Sequence, residues 1–277
     1  MHPPSCIRVG ETALIGYTVA YEKIPGRDPP MRRKPDMILF DYGHTLSWMY
    51  DVDYLRGTEA VMRHVKSNPR GLTAAEVSAF SEELFDLTGS LARSNAMEMH
   101  NHMFNQFLYD YLQLDIPLPP LERELLFFDA AMPDKPMPGI ESVLDFLKDE
   151  GIRSGVISNI AFSGEALKTR INRLLPGNHF EFFIASSEYM FRKPHRLIFE
   201  LALRKADLPA EAVWYCGDSP EYDIIGAASA DIFPVWYQSP LERNYKDLDR
   251  IIPPECAYLH IRDWAELIAA LRNTTEW

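Results

Sequence analysis

Three aspartates, a lysine and a serine stand in this chain where apolar runs stop, and that placement gives them chemistry to do. Asp41 follows the unbroken run Met37-Ile38-Leu39-Phe40. The run reads as a strand buried on both faces that delivers a carboxylate to its C-terminal end, where open α/β sheets keep their sites. A carboxylate there either caps its own loop as an Asx turn or acts as a nucleophile or metal ligand. Ser158 and Asn159 follow Gly155-Val156-Ile157, Lys193 sits between Arg192 and Pro194, and Asp218 and Asp223 follow Val213-Trp214-Tyr215-Cys216-Gly217. A fixed ammonium with a hydroxyl and backbone N–H groups at helix starts can hold the oxygens of a dianion. Taken singly, a surface lysine and a turn serine look the same.

In order and chemistry these stretches resemble the haloacid dehalogenase-like hydrolase superfamily. Its motifs are an aspartate nucleophile in DxDxT, a Ser or Thr, a Lys, and an acidic pair such as GDxxxxD. The matching residues are Asp41 with Thr45, Ser158, Lys193, and Asp218 with Asp223; the second aspartate of DxDxT is here Gly43. The resemblance implies an α/β fold, a doubly wound parallel sheet whose first and fourth strands are neighbours, so that Asp41, Asp218 and Asp223 meet. Three carboxylates so close repel unless a cation sits among them, and hard oxygen donors suit Mg²⁺. The implied ligands are Asp41, Asp218 and the carbonyl of Gly43, with Asp223 as ligand or support. The alternative, two aspartates capping a helix N-terminus, accounts for one of them and hardly for both. By the same resemblance Asp41 is a nucleophile passing through an aspartyl-phosphate, Lys193 is catalytic and substrate-binding, and Ser158 binds substrate. Asn159 either reaches the substrate or only closes its loop, and Thr45 orients the nucleophile loop.

Gly43 alters what this machinery can do. In relatives with DxDxT the second aspartate protonates the leaving oxygen and later activates water, and losing a positioned acid–base costs about 10²–10⁴ in rate. The expected protein is therefore slow on alkyl phosphates, uses another residue, or takes a leaving group that needs no proton, as in acyl, aryl or N-linked phosphates or carbon–halogen displacement. The expected function is a Mg²⁺-dependent phosphatase of a small phosphorylated metabolite. The alternatives are a metal-independent hydrolase of the dehalogenase type and a catalytically weak phosphate-binding regulatory protein.

Other polar residues read as structural. His44 is expected to support its loop. His100 and His102, two apart in a predicted helix, fall on different faces rather than forming a metal pair. Cys216 in its apolar strand reads as a small core residue.

The chain has 277 residues and a formal net charge of −12, which argues against a nucleic-acid surface. Three scattered cysteines, Cys6, Cys216 and Cys256, suit a reducing cytoplasm better than a disulfide framework. No apolar run reaches the roughly 18–20 residues of a membrane span, and Ala13 to Ala20 makes a poor signal segment. The expectation is a cytoplasmic monomer or homodimer whose partner is its small-molecule substrate.

These residues need a scaffold to bring them together. Residues 1–35, punctuated by prolines around a β-prone piece from Thr12 to Tyr21, read as a loosely ordered extension. Residues 36–46 and 136–277 carry the α/β alternation of the core. Between them, 47–135 reads as an all-helical insert, which the resemblance places as a C1-type cap. Its helices are predicted at about Tyr54–Lys66, from Ala74 after the Thr73–Glu76 capping box, and at about Met97–Leu112. In the core, strands are predicted at Ile152–Ser158, Phe182–Ala185, Val213–Cys216, Ile232–Trp236 and Ala257–Leu259. A helix is expected from Pro220 to Ala230, and a second capping box at Ser239.

Overall fold

The computed structural model describes residues 33–241 and 254–274. Most of the N-terminal extension, including Thr12–Tyr21, and the helix expected after Ser239 lie outside the described residues. Along the chain the main elements are β1 (Met37–Phe40), β2 (Ser47–Met49), α1 (Tyr54–Met62), α2 (Ala74–Ser94), α3 (Asn101–Leu112), α4 (Pro120–Ala131) and β3 (Asp134–Pro136). There follow α5 (Ile140–Asp149), β4 (Arg153–Ser158), α6 (Gly164–Leu174), β5 (Phe183–Ala185), α7 (Ser186–Tyr189), α8 (Arg196–Ala206) and β6 (Val213–Gly217). A π-helical turn (Pro220–Ile225), α9 (Gly226–Ser229), β7 (Phe233–Tyr237), β8 (Leu259–Ile261) and α10 (Trp264–Arg272) complete the set.

Six strands form one parallel sheet in the order β5-β4-β1-β6-β7-β8. This is the doubly wound sheet the sequence implies, with β1 at its centre between β4 and β6. The run Met37 to Phe40 is fully buried because alternation sends Ile38 and Phe40 to one face and Met37 and Leu39 to the other. The first face packs on α5, α6 and α10 through Leu144, Leu167 and Leu267, the second on α8 and α9 through Phe199, Ala202 and Ala227.

The helices between β2 and β3 have an apolar cluster of their own, which includes Val61, Val77, Phe104, Leu108 and Leu112. The capping box forms: Thr73 N–H donates to Glu76 Oε2 at 2.8 Å, and Glu76 N–H donates to Thr73 Oγ1 at 3.3 Å. Helices α1 and α4 pack closely at Gly57, where a Cβ would come within 2.8 Å of that of Ala131.

Besides the last strand, expected at Ala257–Leu259 and found at Leu259–Ile261, three expectations need correction. First, α1 stops at Met62, short of Lys66. Second, α3 begins at Asn101 because His100 caps it, its Nδ1 accepting from His102 N–H at 3.1 Å. His100 and His102 are thus not on opposite faces of one helix. Their rings lie 4.7 Å apart, and His102 Nε2 sits 3.1 Å from the buried carboxylate of Glu124. Third, the insert is not helical to its ends: the chain leaves and re-enters through β2 and β3, an antiparallel pair. Strands of three residues are too short to show a period.

Candidate active site

The sheet register brings the chemistry-bearing residues to one edge. Phe40 pairs with Cys216 and Val156, and Asp41 N–H donates to the Cys216 carbonyl at 2.9 Å. Asp41 is thereby fixed beside the end of β6, where Gly217 leads into Asp218. Ser158 is the last residue of β4, and Lys193 enters from the segment ahead of α8. After Asp41 the chain turns tightly, with Ser47 N–H donating to the Tyr42 carbonyl at 3.0 Å and His44 N–H to the Ser47 carbonyl at 2.7 Å. The left-handed residue of this turn is His44, at φ 54°, and not Gly43.

Lys193 is the centre of the arrangement. Its side chain is 2% exposed. Nζ donates to Asp41 Oδ1 at 2.6 Å, to Asp223 Oδ1 at 2.6 Å and to the Tyr215 hydroxyl at 2.7 Å. An ammonium has three protons, and here each has an acceptor. The Tyr215 hydroxyl in turn lies 3.1 Å from Asp223 Oδ1 and 3.3 Å from the Ile157 carbonyl. Asp223 Oδ2 accepts from Ser219 N–H at 2.9 Å. Gly217 makes this fold-back possible, since a Cβ there would lie 2.3 Å from Asp223 Cγ. Asn159 faces the lysine's backbone: Nδ2 donates to the Lys193 carbonyl at 2.9 Å, and Lys193 N–H donates to Oδ1 at 2.7 Å. The Thr45 hydroxyl approaches Asp41 Oδ2 at 3.4 Å.

Asp41, Asp218 and Asp223 are all buried and each offers an oxygen within 4.8 Å of the others. Burial, above all, pushes the Asp41 carboxyl up from 3.8 to about 6, with Lys193 opposing and the Asp223 charge adding to the rise. For Lys193 burial works against the charge, but Asp223 and Asp41 outweigh it and the pKa rises. Three carboxylates face a single ammonium in a desolvated pocket, an excess of acidic groups over cations. That excess and an all-oxygen donor set fit a divalent cation such as Mg²⁺. Asp223 already has both oxygens engaged by Lys193, Tyr215 and Ser219.

Above these groups opens a cleft of about 1080 Å³. Asp41, Gly43, Ser158, Asn159, Lys193, Asp218 and Asp223 all line it, and Thr45 lies beneath, fully buried. Its outer wall is apolar, from Met49 and Val52 around β2, Tyr54 of α1, Phe128 of α4, and Ile160 and Phe162 after β4.

The family model described as haloacid dehalogenase-like hydrolase matches residues 128–236, the stretch that carries Ser158, Lys193, Asp218 and Asp223. Over that stretch the chain is similar to the haloacid dehalogenase-like hydrolase family. Solved structures share its fold: a 2-haloacid dehalogenase from Pseudomonas syringae pv. Tomato at TM-score 0.56 and 21% identity, covering 88% of this chain and all (100%) of that one. A HAD phosphatase from Thermococcus onnurineus follows at TM-score 0.54 and 21% identity, over 87% of this chain and 99% of that one. Among curated relatives, a glyceraldehyde 3-phosphate phosphatase of Methanothermobacter thermautotrophicus is 34% identical over 115 residues, 41% of this chain and 49% of the relative. Pyrimidine 5'-nucleotidase YjjG of Escherichia coli is 31% identical over 134 residues, 48% of this chain and 56% of the relative. The chain thus spans about half the length of these curated relatives.

Two residues of this site escaped the sequence reading. Tyr215 was hidden in a run read as wholly apolar; the clue was a phenol in a buried strand, whose hydroxyl must find a partner. Arg170 was the other. It is 4% exposed, with Nη1 at 2.5 Å from Asp129, Nη2 at 2.9 Å from Asp134, and Nε donating to the Tyr42 hydroxyl at 3.4 Å. The Tyr42 hydroxyl itself donates to Asp134 Oδ2 at 2.7 Å, so the residue after Asp41 is moored to β3 and α6. Leu167, Arg170, Ile171 and Leu174 follow 3-1-3 spacing on one face of α6, and an arginine on an apolar face was the available sign.

Proposed function

We propose that the protein is a Mg²⁺-dependent phosphatase of a small phosphorylated metabolite, with the phosphoryl group carried transiently on Asp41. One observation carries the reading: a buried carboxylate at the floor of a cleft, held by an ammonium and flanked by two further carboxylates. The names of the matched relatives, a phosphatase and a nucleotidase, support the reaction class.

Asp41, Asp218 and the Gly43 carbonyl would hold Mg²⁺, which when bound shields Asp41 from the charge of an incoming phosphoryl dianion. Asp223 supports the site instead, by holding Lys193. Lys193 favours the ionised form of Asp41 and pins Oδ1. The second carboxylate oxygen attacks phosphorus; the bond from phosphorus to the leaving oxygen breaks as the new bond forms, and the leaving oxygen takes the electron pair. Water then attacks phosphorus, Asp41 departs with its electrons, and inorganic phosphate is released. Ser158 reaches for the phosphoryl oxygens. Asn159 acts on the backbone of Lys193 rather than on substrate. Helices α1–α4 serve as the cap that selects the substrate. Gly43 supplies no proton to the leaving oxygen, and among the described lining residues these helices contribute neither a carboxylate nor a histidine. The setting we propose is the cytoplasm, where Cys216 and Cys256 would remain the free thiols they are here.

The test is to trap the covalent step. Acid quenching of the protein with acetyl [³²P]phosphate and Mg²⁺ is expected to leave label on wild type and none on Asp41→Asn. Full turnover by Asp41→Asn would overturn the mechanism.

A further inference from the structure

The cleft distinguishes among leaving groups that need no proton. We propose, resting on the phosphatase reading, that the substrate is the phosphate monoester of an uncharged aromatic group, a phenol-like leaving group without a second anionic substituent.

Two features of the walls carry this. The first is their make-up around the phosphoryl site: Met49, Val52, Tyr54, Phe128, Ile160 and Phe162 present side chains that gain by covering an apolar, planar group. Tyr54 is 48% exposed and rims the cleft, with area left to be covered. The second is charge. Among the described lining residues the cations are Arg192 and Lys193, against five carboxylates, Asp41, Asp218, Glu221, Asp223 and Glu255. Lys193 has its three protons on Asp41, Asp223 and Tyr215. Arg192 is paired with Glu98 at 3.3 Å and lies 5.8 Å from the centre of the Tyr222 ring. Among the described residues, then, a carboxylate or second phosphate on the leaving group would be desolvated beside like charge with no lining cation free to receive it. Gly43 adds the chemical half: the leaving oxygen departs as an anion, which a phenol tolerates and an alkyl alcohol does not. An acyl phosphate meets that condition too, but a small acyl group leaves the aromatic wall uncovered.

The experiment compares kcat/KM of the full chain with Mg²⁺ on phenyl phosphate, 4-carboxyphenyl phosphate and acetyl phosphate. The carboxylated phenol is the better leaving group, so chemistry alone would favour it. We expect the neutral ester to win by about tenfold or more, through a lower KM. Val52→Arg, which adds a cation to the wall, is expected to raise the charged ester relative to the neutral one, an outcome that misfolding cannot imitate. If acetyl phosphate turns over while the charged ester is cleaved as well as the neutral one, the leaving-group proposal falls and the phosphatase reading survives. If none of the three is hydrolysed, both fall.

Discussion

Replacing Lys193 by methionine keeps most of the side chain's volume and removes the positive charge that two buried carboxylates contact at 2.6 Å each. Removing one partner of a buried ion pair costs about 3–5 kcal/mol, because the other charge is left uncompensated. Here two are left, with Asp218 within 4.8 Å, so the upper end applies. At roughly 2–4 °C per kcal/mol for a domain of this size, the melting temperature in EDTA should fall by on the order of 10 °C. The loss should depend on pH, and its sign follows from Asp41. Its folded pKa is already raised to about 6 by burial, against a lowering by Lys193, and the variant loses that lowering. A raised folded pKa means stability fully present below the unfolded value of 3.8 and lost as pH rises through the folded value. The gap between variant and wild type should accordingly be small near pH 4 and wide at pH 8. Mg²⁺ should narrow it at pH 8 by binding the folded state. Differential scanning fluorimetry at the two pH values, with EDTA and with Mg²⁺, reads all of this. A variant melting within about 2 °C of wild type at pH 8 in EDTA would refute the account of Lys193 as the cation that makes the pocket foldable.

Two further outcomes are expected. Tyr215→Phe deletes the hydroxyl that accepts from Lys193 at 2.7 Å and should cost about 1–3 kcal/mol in urea unfolding, with kcat lowered more than KM is raised; unchanged stability would remove Tyr215 from the network. Gly43→Asp should fold, because Gly43 has no left-handed angle and a Cβ would meet only the mobile end of Met49 at 3.0 Å. It should raise the rate on an alkyl phosphate by about tenfold or more, and an unchanged alkyl rate in a folded protein would show that the missing acid is not what limits wild type.

The central fold was legible because β1 is apolar without interruption, as a strand buried on both faces is, and is followed at once by polar loop residues. That β1 and β6 are neighbours was implied by the resemblance; that β4 lies on the other side of β1 was seen only in the structure. The lysine's partners were less accessible. Lys193, Tyr215 and Asp223 meet only after three elements have packed, and no local pattern encodes a contact between a strand's interior and a distant loop. Asn159 was read with two possible roles, and its contacts with the Lys193 backbone, 34 residues away, could be seen only in three dimensions. The left-handed angle of the turn after Asp41 is carried not by the glycine but by His44, fully buried at φ 54°. The short pair β2 and β3 was invisible because its partners are separated by α1–α4.

That pair has a consequence for how the chain can change over evolutionary time. Met49 stands opposite Asp134, and Ser47 opposite Pro136, so the departure and return points of the whole helical layer are neighbours in space. Strand order in the sheet does not depend on what lies between them. The layer is therefore a cassette with adjoining ends: its length and content can drift, be exchanged, or be trimmed toward a tight turn, while the central strands keep their neighbours. On the function proposed, specificity could be rewritten at one place in the chain without disturbing the register that sets Asp41 beside the end of β6.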